Sequence, residues 1–167
     1  MDETIADALG KHITLYNQAF GAEVCRTHLN SCDLRDVVPE EHRRAVDSMV
    51  FTAGFFEDLE VMPGSAEVIR ELTGQYEVFI TSSAMEVPNS FAAKYSWLTR
   101  HFPFIPSSHI VFCGDKSVIA ADFLIDDTAR HFQRFRGEGI LFSAPHNRSV
   151  SGYRRVESWM DVRRMFL

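Results

Sequence analysis

Apolar residues recur at spacings of three and four from Ile5 to Phe20 (Ile5, Leu9, Ile13, Tyr16, Phe20). That spacing predicts the buried face of an amphipathic helix, which Gly21 would end. Pro39 stands where a second helix would begin, and Glu40 and Glu41 suit its positive end. This helix is expected to carry Ala45, Met49 and Val50 inward and to run to about Ala53. No strand pattern precedes residue 75.

Beyond Phe55 the pattern changes to alternating helix and strand. Pro63 to Leu72 reads as a helix with Gly74 as its stop, and Glu77 to Thr81 (EVFIT) as a buried strand. A helix is expected over Ser90 to Arg100, with Phe91, Lys94, Tyr95 and Leu98 spaced along it. Three apolar runs follow: Ile110 to Cys113, Phe123 to Ile125 and Gly139 to Phe142. A helix over Ala129 to Arg136 separates the last two, and a final helix begins near Ser158, an N-cap with Asp161 three positions on. Strands alternating with helices imply a parallel sheet covered on both faces, which binds ligands at the carboxyl ends of its strands.

Composition narrows the class. The 167 residues are 46% hydrophobic and 24% charged, a soluble globular balance. A net charge of −6 argues against a general nucleic-acid binder. No run approaches the roughly 20 apolar residues of a membrane span. The opening MDETIADALG has neither a basic region nor a long apolar run, so a cytoplasmic protein is expected. Three cysteines in this setting read as reduced thiols, and Cys25, His28 and Cys32 lack a fourth partner for zinc.

The strand-end rule then selects residues. Thr81, Ser82 and Ser83 follow one apolar run, and Asp126-Asp127 end another. Adjacent carboxylates at the rim of a buried sheet repel, which a magnesium ion would relieve; an exposed acidic turn capping a helix fits the same residues. Thr81 and Ser82 could donate to phosphate or simply cap a helix. Lys94 could oppose charge developing in a transition state or sit solvated on its helix.

Taken in order, Asp2-Glu3-Thr4, Thr81, Lys94 and Asp126-Asp127 resemble the four motifs of the haloacid dehalogenase superfamily of phosphotransferases. A closer similarity is to the 5'(3')-deoxyribonucleotidases. It runs through GFFEDLEVMPG (54–64), VFITSS (78–83), KYSWL (94–98), GDKSVIAADFLIDD (114–127) and LFSAPHNR (141–148). The resemblance implies an α/β fold: a HAD-like, Rossmann-type parallel sheet with helices on both faces. Residues 1–4 and 63–167 would form the core and 5–62 a helical cap inserted after the first motif. It implies magnesium-dependent hydrolysis of nucleoside monophosphates through an aspartyl-phosphate. Asp2 matches the general acid/base, whose carbonyl also binds the metal, and Thr81 and Ser82 the phosphate donors. Lys94 matches the charge-neutralising lysine, and Asp126 and Asp127 the metal pair. Phe56 matches an aromatic that lines the base pocket; packing of cap on core is the other reading of Phe55 and Phe56.

In that motif the nucleophile precedes Asp2 by two residues, where this sequence has only Met1. The first core strand, central in the sheet, is expected to be absent as well. Two readings compete: Met1 is the internal residue of an Asp-Met-Asp-Glu-Thr motif, which MDET fits in frame and which is the favoured one, or the protein is a non-catalytic relative. A polypeptide starting at Met1 is expected to have little phosphatase activity, and a homodimer or strand swap would be one way to fill the gap. Ala8 stands where relatives have an aromatic near the base, and Thr128 where some have arginine, which leaves deoxyribose selectivity open. Another small phosphate ester as substrate, or a nucleotide-binding module without turnover, are the competing functions.

Overall fold

The structure, a computed structural model, describes residues 1–167. Its first element corrects the sequence reading. Ala6–Asp7 is a two-residue strand, β1, and the first helix, α1, covers Ala8–Phe20. Asp7 leaves the strand and caps the helix, its carboxylate accepting from the Gly10 amide at 2.6 Å. Gly21 ends α1 in the left-handed conformation at φ 61°, as expected. Two helices follow, α2 (Leu34–Val37) and α3 (Glu40–Met49). The first was not anticipated. The second is shorter than predicted, because turns through Thr52 and Gly54, at φ 80°, break the chain away. Ile13, Tyr16, Leu29, Leu34, Val38 and Val46 bury one another here as a small separate cluster.

The chain returns through β2 (Glu60–Val61), which pairs antiparallel with β1, Ala6 opposite Val61 and Asp7 opposite Glu60. Two residues carry no readable alternation, so neither strand was visible in the sequence. Gly64, left-handed at φ 77°, then turns the chain into α4 (Ser65–Leu72).

The parallel α/β layer follows. β3 (Ile80–Ser82) begins later than the predicted run and pairs parallel with β4 (Ile110–Phe112); α5 (Phe91–His101) connects them. β5 (Phe123–Asp126) pairs parallel with β6 (Glu138–Phe142), and β6 with β7 (Arg154–Val156). The helix expected over 129–136 is only a short 3₁₀ turn, Ala129–Phe132. Phe132 of this turn and Phe135 just beyond it join Leu124 and Leu141 in one cluster. α6 (Trp159–Phe166) closes the fold, with Ser158 accepting from the Asp161 amide as read from the sequence. It packs on α4, where Arg163 Nε meets Glu71 Oε2 at 2.7 Å.

Helices lie on both faces of these parallel strands, as the pattern required. The core runs from Ile5 and Phe56 through Trp97, Phe102 and Ile140 to Trp159. Its two indoles are satisfied, Trp97 donating to the Leu59 carbonyl at 2.8 Å and Trp159 to that of Thr4 at 2.7 Å. Between β3 and β5 there is no pairing. An apolar cavity of about 310 Å³ lies there instead, with Met1 and Ile5 among its lining.

Candidate active site

Asp2 is set by a tight turn. The Met1 carbonyl accepts from Ile5 N at 2.8 Å, and Glu3 N donates to the Ala6 carbonyl at 2.8 Å. Glu3 takes the left-handed conformation at φ 54°, which a residue with a side chain adopts only when held there. Leu9 N, 2.7 Å from Glu3 Oε1, and Arg26, 3.2 Å from Oε2, do the holding. Burial raises the Glu3 carboxyl, and the Leu9 amide and Arg26 oppose it. Arg26 also pairs with Asp7, so the turn, β1 and the helical layer are tied together.

Lys94 comes to this turn from α5. It is 3% exposed, so it is no solvated helix lysine. Its ammonium donates to Asp2 Oδ2 at 2.6 Å and to Ser82 Oγ at 3.4 Å, and lies 4.3 Å from the centroid of the Phe56 ring. Phe56 itself is buried against Phe55, their centroids 4.8 Å apart. It therefore both packs in the core and lines the cleft beside Asp2 and Lys94. That cleft encloses about 260 Å³, and Ala8, His12, Phe55 and Ser83 share its walls.

The acidic pair lies at the carboxyl end of β5, and Asp126 is 3% exposed rather than an open turn. Its Oδ1 accepts from Thr128 N at 2.9 Å. Its Oδ2 accepts from the buried ammonium of Lys116 and from His131 Nδ1, the latter at 3.1 Å. Burial alone would raise this carboxyl, but the His131 hydrogen bond and the charges of Lys116 and the N-terminal amine hold it well below the usual carboxylate range. Asp127 goes the other way. Burial, then the charge of Asp126 beside it, pushes its carboxyl up to about 8. His146 Nε2 is 3.4 Å from its Oδ2, and Asn147 donates to its carbonyl at 2.7 Å.

The structure thus brings Asp2, Lys94, Ser82 and Phe56 into contact and places Asp126 and Asp127 at a neighbouring strand end. Thr81 is on the same rim but joins no hydrogen bond through its hydroxyl. Its Oγ1 and Asp2 Oδ1 are buried without a partner. Such atoms are costly unless a ligand satisfies them. No three acidic, imidazole or thiol side chains converge on one point. Lys116, His131 and Glu3 were missed by the sequence reading. The Asp115-Lys116 step inside the matched GDKSVIAADFLIDD segment was a usable signal for the first. Nothing local marked the other two.

The family described as 5' nucleotidase, deoxy (pyrimidine), cytosolic type C protein matches residues 1–167. The chain belongs to this nucleotidase family. Its place among the nucleotidases, a branch of the haloacid dehalogenase superfamily, agrees with the motif order read from the sequence. Among relatives, a Staphylococcus aureus protein named provisionally as a 5'(3')-deoxyribonucleotidase is 42% identical over 167 residues, 100% of this chain and 92% of its own length. A Staphylococcus epidermidis protein with the same provisional name is 40% identical over 166 residues, 99% of this chain and 92% of its own. The Bacillus subtilis 5'(3')-deoxyribonucleotidase is 45% identical over 112 residues, 67% of this chain and 65% of its own. The nucleotidase sequence contains no helix long and apolar enough to cross a membrane.

Proposed function

We propose that this nucleotidase is a magnesium-dependent phosphatase of the cytoplasm that hydrolyses deoxyribonucleoside monophosphates to nucleoside and phosphate through an aspartyl-phosphate. The observation that carries the reading is the Lys94–Asp2–Ser82 contact beside the unpartnered Thr81 hydroxyl. It assembles a cation, an acid and hydroxyl donors within one cleft, with an aromatic wall from Phe56. The names of the relatives support the nucleotide as substrate. Residues 5–62 serve as the cap that closes over the base, since the cleft lies between the helical layer and the strand ends.

The donor set suits a hard cation. Asp126 and Asp127 are adjacent carboxylates, Asp127 pushed toward its neutral form by burial and then by the charge of Asp126, and the turn that carries Asp2 reaches the strand ends through Met1 N, 3.3 Å from Thr81 O. Asp126, Asp127 and Asp2 would hold magnesium, which when bound neutralises phosphate charge. Thr81 Oγ1 and Ser82 Oγ donate to phosphate oxygens, and Lys94 offsets the charge that grows on them. Asp2 Oδ1, free of any partner, gives a proton to the leaving nucleoside oxygen and takes one from the water that cleaves the acyl phosphate. The nucleophilic carboxylate belongs two residues before Asp2, ahead of Met1.

The test compares two polypeptides, one beginning at Met1 and one extended upstream so that an aspartate stands two residues before Asp2. The extended form should release phosphate from dUMP in the presence of magnesium, faster than from sugar phosphates, and the shorter form should release very little. Vigorous turnover by the shorter form would refute the nucleophile assignment. Nucleotide binding without turnover by the extended form would replace the enzyme with a binding module.

A further inference from the structure

Asn147 stands on the short 3₁₀ turn Pro145–Asn147 that follows β6, and it is 2% exposed. Every hydrogen-bonding valence of its side-chain amide is used. Nδ2 donates to the carbonyls of Asp127 at 2.7 Å and Phe142 at 2.8 Å. Oδ1 accepts from Ala144 N at 3.1 Å and from the Arg155 guanidinium at 2.9 Å. Turned over, the amide would set its nitrogen against two donors and its oxygen against two carbonyls, so these partners fix its orientation. Arg155, on β7, also donates to the carbonyls of Asn147 and Val150 and to Ser143 Oγ. The carboxyl ends of β5 and β6 and the middle of β7 thus meet on one buried amide.

The two members of the acidic pair are placed by different means. The Asp126 carboxylate is fixed directly, by Lys116, His131 and Thr128 N. The Asp127 carboxylate has no comparable set of donors. Its neighbour His146 Nε2 is 3.4 Å from Oδ2 and lies closer, at 3.1 Å, to the Asp127 carbonyl. Asp127 is therefore held by its backbone, and the side chain that grips that backbone most closely is Asn147. We infer that Asn147 is a positioning residue for the proposed reaction: by tying the Asp127 carbonyl to the end of β6 it aims the Asp127 carboxylate at the magnesium site. The inference rests on the magnesium reading of the acidic pair. Magnesium takes oxygen ligands only near about 2.1 Å and in octahedral array. The Asp127 carboxyl group hangs beyond Cβ, so a modest rotation of its peptide carries the ligand out of reach.

Asn147→Asp keeps the volume and the accepting oxygen but removes the donor that grips Asp127, so it separates positioning from packing. In the polypeptide extended by an upstream aspartate, calorimetry should show the magnesium dissociation constant raised about tenfold or more. The magnesium needed for half-maximal phosphate release from dUMP should rise in proportion, while KM for dUMP at saturating magnesium stays within about twofold of the parent's. Val162→Ala, buried in α6 outside this network, should lower the urea midpoint and leave the metal affinity unchanged. A further measurement stands whether or not the variant folds. In the parent, the Asn147 side-chain amide protons should exchange slowly by NMR and shift with added magnesium along the calorimetric isotherm. Parental metal affinity in Asn147→Asp, an equal loss in Val162→Ala, or amide protons that ignore magnesium would each overturn the assignment. A parent that neither binds magnesium nor releases phosphate would bring down the magnesium reading itself, and this assignment with it.

Discussion

Lys94 Nζ reaches Asp2 Oδ2 at 2.6 Å across 92 residues of sequence, joining the middle of α5 to the turn at the chain's start. The pair is unequal: the lysine side chain is 4% exposed and the aspartate 34%. Desolvation therefore falls mainly on the ammonium, which Asp2, Ser82 and the Phe56 ring together compensate.

Lys94→Met should remove that compensation from the other side. In the polypeptide extended by an upstream aspartate, kcat on dUMP should fall by about 10² to 10³. Stability should change by only about 2 kcal/mol or less, because Asp2 retains water. Steady-state kinetics and a urea titration measure the two effects separately. A kcat within a factor of two of the parent would remove Lys94 from the proposed chemistry.

Lys116 and Asp126 form the more deeply buried pair, each 3% exposed. Lys116→Met alone strands the carboxylate and should cost about 3–5 kcal/mol of unfolding free energy. Adding Asp126→Asn should recover part of that loss, since the stranded charge disappears. A denaturant double-mutant cycle checks this. Strictly additive losses would mean that the two side chains are energetically independent.

Asp126-Asp127 and Thr81-Ser82 were legible as candidates because strand ends can be read from short apolar runs, and Lys94, in the middle of α5, because the KYSWL segment begins with it. His131 was not legible. Its importance lies in a 3.1 Å contact made by a tight 3₁₀ turn where an ordinary helix was expected. β1, β2 and β7 escaped for a different reason, being two or three residues long with no period to detect. The layered α/β order was readable throughout, since it depends on the sequence of apolar runs and not on where each begins.

His12 supplies the pH prediction. Burial, its largest influence, lowers its pKa from the ordinary value, and its Nε2 is 2.9 Å from the Val46 carbonyl. The unfolded chain then takes up a proton more readily than the folded one, so stability is full above about pH 6.5 and declines as pH falls through and below it. His12→Gln should flatten this limb. Urea midpoints at about pH 7.5 and pH 5 test it, and an identical decline in the variant would assign the limb elsewhere.

Gly137 lies directly against the backbone of Ala121 and Asp122. A Cβ there would lie 2.4 Å from the carbonyl oxygens of Ala121 and Asp122, neither of which can swing aside as a side chain could. Gly137→Ala should therefore cost about 1–3 kcal/mol and shift β6 against β5. A melting temperature equal to the parent's would show that the two segments yield freely.

The pairing of Ala6 with Val61 and of Asp7 with Glu60 has an evolutionary consequence. The chain departs from the strand layer and rejoins it at a single point, so everything between those residues is a cassette whose ends already touch. Length or sequence can change inside it at a loop-closure cost that grows only with the logarithm of its size. Helices inside the cassette can thus be exchanged while Thr81, Ser82, Asp126 and Asp127 at the strand ends keep their register.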